Sequence, residues 1–305
     1  DGIHFDYIRY PEEAKKFPDR TAYNKSGKGM PLDEWRRSNI TRMVSMIYDW
    51  VKGVKPWIQV SSSPLGKYSR IPKVPNAGWT AYESVYQDPG KWLQQGKHDM
   101  VVPMMYYKFD NFFPFVDNWV EISNGRIVVP GLGAYRMDKK EADWEKNDIT
   151  DQIDHSRYYG GAGCSFFRCA NVLDNTKGIY DELKNVYYKY PAQLPPLKWL
   201  DDAVPEAPSE IKVRKENNEL ELTWDVPEGK SDSLSYTVYY AINDSVDTQT
   251  SSHMLATGVR GNSFRLPLTD ETERMYSFCV TSSTRYRIES KPSKETIYYL
   301  LPYEK

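Results

Sequence analysis

Asp1-Gly2-Ile3-His4-Phe5-Asp6-Tyr7-Ile8-Arg9-Tyr10-Pro11 opens the chain, and its reading decides the fold. Ile3, Phe5 and Tyr7 alternate with Gly2, His4 and Asp6, so at a period of two one face is large and apolar and the other small or polar. In a parallel barrel the first face packs outward on helices and the second points into the lumen. At about 3.3 Å per residue, Asp1 and Asp6 stand roughly 16 Å apart along such a strand. Asp1 then belongs to its bottom and Asp6 to its C-terminal end, where barrels of this kind keep their chemistry.

Downstream, strand and helix patterns alternate. Pro11 to Met30 reads as a long polar loop over the strand ends. Ile40, Met43, Val44, Ile47, Trp50 and Val51 recur at three and four, predicting a helix from about Pro31 to Gly53. Trp57 to Ser61 is a short strand, and Ser62 to Asp88 a second long loop. Pro89 to Gln95, Phe112 to Ile122, Thr150 to Tyr159 and Thr176 to Tyr188 are expected helices. Met100 to Tyr107, Arg126 to Leu132 and Gly163 to Phe167 are expected strands. Such alternation argues for a parallel sheet with right-handed crossovers. Five strands precede residue 190, whereas a closed (β/α)₈ barrel needs eight. The chain is therefore expected to begin inside a strand, with three further strands upstream, and the open edge to be covered by them or by another chain.

The same residues carry a resemblance. The opening run resembles the fourth-strand motif of the bacterial glycosyl hydrolase-like 10 family. Trp35-Arg36-Arg37, Lys55-Pro56, Ser63-Pro64-Leu65-Gly66, Asp88-Pro89-Gly90-Lys91-Trp92-Leu93 and Asp99-Met100-Val101-Val102-Pro103 are similar to that family in the same order. More distantly, the run is similar to the Asp-Gly-x-x-x-Asp nucleophile strand of the α-amylase superfamily. The resemblance implies that residues 1–190 are strands four to eight of a TIM-barrel glycosidase, with Asp6 the nucleophile. His4 stands where that superfamily has an arginine. Its fifth-strand glutamic acid has no counterpart here, since that strand ends in Gln59, Val60, Ser61 and Ser62.

Pro195-Pro196, Pro205 and Pro208 mark residues 191–204 as a stiff linker. Beyond it the period changes to two at Ile211 and Val213, at Leu220, Leu222 and Trp224, at Tyr236, Val238 and Tyr240, and at Tyr276, Phe278 and Val280. The fold class is thus α/β followed by all-β, and residues 205–305 resemble a fibronectin type III β-sandwich.

Composition bounds the function. In 305 residues, 40 basic side chains nearly balance 42 acidic ones for a net charge of −2 and show no cluster, so no nucleic-acid partner is expected. No apolar run approaches the ~20 residues of a membrane span. Cys164, Cys169 and Cys279 form no ligand spacing, so neither metal nor cofactor is expected, and all three read as buried free thiols. Aromatic residues at 14% suit a sugar-stacking surface.

The expected function is hydrolysis of a bacterial or dietary poly- or oligosaccharide, outside the bacterial cell membrane. Cleavage of this kind commonly uses two carboxyl groups. Asp6 is the firm candidate, and His4, one layer deeper, is expected to hydrogen-bond it. Glu83, Asp88 and Asp110 are weaker candidates for the second acid, Asp88 reading more simply as a helix cap. Arg9, Tyr10, Tyr106 and Tyr107 are candidate substrate contacts, and Trp79, Tyr82 and Trp57 candidate platforms. The alternative is a glycan-binding protein without turnover on the same scaffold.

Overall fold

The computed structural model describes residues 2–27, 29–226, 233–268 and 273–301. Asp1 lies outside them. The chain divides into two compact units, residues 1–182 and 183–305.

The first unit is built on parallel strands. β1 (Gly2–Phe5) pairs with β2 (Gln59–Ser62), opposing His4 to Ser61. β2 pairs with β3 (Met100–Val101), and β3 with β5 (Ile127–Val128). A second ladder joins β4 (Met104–Met105), β6 (Gly131–Leu132) and β7 (Ser165–Phe166). Pro103 separates β3 from β4 and Pro130 separates β5 from β6; each lacks the N–H a ladder needs. The path nevertheless continues across both, because Met104 N–H donates to Pro64 O and Gly131 N–H to Pro103 O at 2.9 and 2.8 Å. Five runs of chain thus lie side by side in sequence order, as the alternation predicts.

The helices are α1 (Arg20–Ser26), α2 (Leu32–Val54), α3 (Ala81–Ser84), α4 (Pro89–Gln94), α5 (Phe113–Glu121), α6 (Lys146–Tyr158), α7 (Cys169–Leu173) and α8 (Ile179–Glu182). α2 buries Ile40 and Val44 with Ile8, Ala14, Tyr86 and Trp92, and Tyr48 and Val51 with Val60. It runs through Gly53 and stops at Val54, because Lys55 precedes Pro56 and is held extended.

Four expectations change. The loop Pro11–Met30 contains α1, and the loop Ser62–Asp88 contains α3. α6 begins four residues early, since Asp148 accepts the Glu145 N–H at 2.8 Å and caps that end. The closing helix is instead α7, α8 and a π-helical turn over Leu183–Tyr187. Cys169 is exposed; Cys279 is buried, and burial pushes its thiol up to about 12.

Buried polar groups tie helices to strand ends. Asp99 accepts from Val60 N–H and Tyr48 hydroxyl and pairs with Lys52 at 2.7 Å. Beside it, buried His98 donates from Nδ1 to Lys97 O at 2.6 Å, and its Nε2 accepts the Ser62 hydroxyl at 2.7 Å. Burial lowers the His98 pKa from 6.5 to about 4. The unfolded chain therefore takes up this proton first. The stability held in neutral His98 is complete above about pH 6.5 and is lost as pH falls toward 4, at up to about 1.4 kcal/mol per pH unit. His98→Gln should flatten that part of the urea-melt pH profile, and an unchanged slope would show that His98 is not its source.

In the second unit, β8 (Ser209–Glu216), β9 (Glu219–Asp225) and β12 (Ser263–Pro267) form one antiparallel sheet in the order β12-β9-β8. β10 (Ser235–Ile242), β11 (Met254–Val259), β13 (Arg274–Ser283) and β14 (Thr296–Leu300) form another in the order β11-β10-β13-β14. The alternating residues Leu220, Leu222, Trp224, Tyr236, Val238, Tyr276, Phe278 and Val280 make the core between them. Gln193 hydrogen-bonds Tyr239 and Glu289, and Leu197 is fully buried, so the proline-rich segment packs on this unit.

Candidate active site

Asp6 stands just past the C-terminal end of β1, solvent-exposed, with Oδ1 accepting its neighbour Tyr7 N–H at 2.8 Å. The strand stops there because Tyr7 adopts φ +51°, a left-handed conformation that a bulky residue takes only when its surroundings impose it. The outward placement of Tyr7 is thereby corrected. Its ring is 68% exposed and lies 4.4 Å from the Arg9 guanidinium.

His4 does not bond Asp6. Its Nδ1 and Nε2 each lie 2.8 Å from a hydroxyl, those of Ser61 and Ser63. The shared-face rule holds only inside a strand, and Asp6 lies past the end of β1 while the ladder puts Ser61 opposite His4. Burial lowers the His4 pKa and the Asp6 charge pushes it back up, so the two remain within electrostatic reach. His4 is held by two serines.

Tyr106 follows β4. Burial first, then the charge of Asp6, pushes its hydroxyl up to about 12, leaving it a protonated donor at neutral pH. Its ring stacks on Phe167 at 5.4 Å and meets Tyr135 edge-on at 5.6 Å. Tyr107 turns into the unit, where the Lys67 ammonium sits 4.7 Å over its ring. Lys67 donates to Ala77 O and Asn111 Oδ1, both at 2.7 Å, and desolvation lowers its pKa. It is placed there by Gly66, where an added Cβ would strike Met104 O and only glycine allows the approach.

Arg9 also lies 5.4 Å from the ring of half-exposed Trp79, so its guanidinium meets two aromatic rings. Trp79 borders a cavity of about 340 Å³ with Gly78 and the turn Glu12–Lys16.

Tyr10 is not at the mouth. It packs edge-on against Phe17 and Tyr86 and hydrogen-bonds Asp19. Asp19 in turn receives two 2.8 Å bonds from buried Arg36, whose Nη1 donates to Tyr86 Oη. Tyr82 lies 4.0 Å under the Arg37 guanidinium. The Arg36 contacts pin the loop after β1 to α2, and the Arg37 contact does the same for the loop after β2.

The weaker acids are occupied elsewhere or exposed. Glu83 accepts the Thr80 hydroxyl, and Asp88 caps α4 and accepts the Tyr68 hydroxyl at 2.8 Å. Both line a cavity of about 800 Å³ with Tyr82, Gln95 and Asn124. That cavity contains neither Asp6 nor His4, and of its carboxylates Glu83 and Asp88 already have partners while Glu121 is exposed. Asp110 lies exposed in the 3₁₀ turn after β4. Among the described residues no group of His, Cys, Asp and Glu could hold a metal ion, and no helix is long and apolar enough to cross a membrane.

Sequence reasoning finds Asp6, Arg9, Trp79, Tyr106 and Tyr107 at this end of the strands. It misses Tyr7, Lys67, Tyr135, Arg136 and Phe167. The signal for them is position alone, one to five residues beyond the end of a parallel strand.

The family model described as glycosyl hydrolase-like 10 matches residues 1–124. The chain is 28% identical over 317 aligned residues to a Bacillus subtilis protein named glycosyl hydrolase YngK, an alignment covering 97% of this chain and 62% of that protein. It is 26% identical over 174 residues to the Escherichia coli protein named glycosyl hydrolase DigH, covering 50% of this chain and 39% of that one. These matches support the glycosyl hydrolase-like 10 family. The chain spans less than two thirds of the length of either relative.

Proposed function

We propose that this protein is a glycosidase acting on a poly- or oligosaccharide outside the bacterial cell membrane, with Asp6 as its catalytic carboxylate. The observation that carries the reading is the Asp6 carboxylate at the C-terminal edge of five successive parallel strands, within electrostatic reach of a protonated Tyr106 and near stacked aromatic rings. Parallel barrels place their chemistry at that edge. Residues 1–190 would supply strands four to eight of a (β/α)₈ barrel, and residues 191–204 lead into a fibronectin type III-like domain at 205–305. Support for the barrel is the sequential parallel order. Support for the second domain is the pair of antiparallel sheets of three and four strands.

In this mechanism the Asp6 carboxylate attacks the anomeric carbon, or activates the water that does, while a second carboxyl group gives its proton to the leaving oxygen. Positive charge developing on the ring is stabilised by Asp6. Tyr106 donates its hydroxyl hydrogen to Asp6 or to a sugar hydroxyl, and Trp79 offers an apolar face to a ring. The names of both relatives and of the family support hydrolysis of glycosidic bonds.

One observation favours a second reading, glycan binding without turnover. Glu83 and Asp88 are engaged elsewhere, and no residue at the end of β2 is acidic. Reducing-end release from a panel of soluble bacterial and plant saccharides, measured beside their binding by calorimetry, separates the two. Binding with release supports the glycosidase. Binding of several saccharides with no release from any of them supports the alternative.

A further inference from the structure

We propose that the mouth of the parallel strands receives a carboxylate carried by the sugar, so that the substrate is an acidic saccharide of the uronate kind; this deepens the glycosidase reading and rests on it. Arg9, Lys67 and Arg136 lie on the loops that follow β1, β2 and β6, around Tyr107, which follows β4. Lys67 sits over its ring, and the charges of Arg9 and Arg136 both reach its hydroxyl. Arg136 is also next to Tyr106: the Gly133 Cβ position is 3.2 Å from Arg136 Cγ and 3.2 Å from Tyr106 Cβ.

Several other cations of the same unit are each neutralised by a carboxylate. Arg36 pairs with Asp19, Arg37 with Glu34, Lys52 with Asp99, Lys97 with Asp49 and Lys108 with Asp148. Among the described residues, Arg9, Lys67 and Arg136 have no carboxylate partner. Arg9 Nη1 and Arg136 Nε are shielded from solvent and donate to nothing. Shielded guanidinium N–H groups are costly unless an acceptor meets them, and a planar guanidinium fits a carboxylate with two parallel bonds. A neutral sugar hydroxyl satisfies one donor and balances no charge.

Asp6 bounds where the ligand's charge goes. Its own charge repels an anion, so the sugar carboxylate is received by Arg9 and Arg136. The rings of Tyr7 and Trp79 hold Arg9 from two directions, which reduces the side-chain freedom lost on binding.

The test is calorimetric titration with an oligosaccharide of hexuronates and with the same oligosaccharide after its carboxyl groups are reduced to alcohols. The acidic form should bind about tenfold tighter or more, and the difference should shrink as salt rises. Arg136→Gln and Arg9→Gln should each cut affinity for the acidic form about tenfold without moving the melting temperature. Equal binding of the two forms, binding of neither, or full acid preference in Arg136→Gln overturns the proposal. Acid preference without cleavage contradicts the glycosidase reading and leaves this one standing. Cleavage of neutral saccharides without acid preference does the reverse.

Discussion

Asp19→Ala should destabilise the protein by about 3–5 kcal/mol, because it leaves the Arg36 guanidinium buried and uncompensated. Arg36 and Asp19 have side chains only 3% and 7% exposed and are joined by two bonds of 2.8 Å. Removing Asp19 leaves Arg36 with the neutral Tyr86 hydroxyl as its remaining partner. The Arg36 guanidinium also holds the Asp19 carboxyl below its ordinary range, against burial that pushes it up. A carboxylate with a depressed folded pKa contributes its stability in full above the unfolded value near 3.9, and that stability is lost as pH falls below it. The variant should therefore lose most at neutral pH and least in acid. Urea denaturation at pH 7 measures the effect, and a loss below about 1 kcal/mol would mean that the loop after β1 is held by its apolar contacts instead. Replacing both partners with apolar residues should cost less than either single change.

Asp6→Asn should lower kcat on acidic saccharides by about 10³-fold or more, equivalent to about 4 kcal/mol of transition-state stabilisation. The amide keeps the shape of the carboxylate and removes the charge that meets a developing cation. Asp6 accepts one local backbone bond and is exposed, so the same change should leave the melting temperature nearly unmoved. A fall in stability without a fall in kcat would make Asp6 a turn residue.

The strand and helix order was legible because the apolar periods are strong: Ile40, Val44 and Val51 are buried on one face of α2, although Met43 and Trp50 of the same run are exposed, and Leu220, Leu222 and Trp224 mark one face of β9. The position of Asp6 at a strand end followed from the same alternation. What the chain does next was not legible. Nothing in the residue type of tyrosine announces the left-handed turn at Tyr7, after which Ile8 enters the core. The partners of His4 were hidden because they lie on another strand, 57 and 59 residues away. Arg136 was invisible for a related reason: a loop arginine has no period, and only the pairing of β4 with β6 brings it beside Tyr106. The early start of α6 escaped because Glu145 and Asp148 make an acidic version of a cap usually recognised by serine or threonine.

The central claim is that Asp6 does chemistry at this mouth. Its most direct test is to titrate Asp6→Asn with the saccharide that the unaltered protein cleaves and then, at saturating concentration, to measure reducing-end release. Affinity should stay within about tenfold of the unaltered protein, or about 1.4 kcal/mol, and release should fall by about 10³-fold or more. Release within about tenfold of the unaltered rate at full occupancy would contradict it.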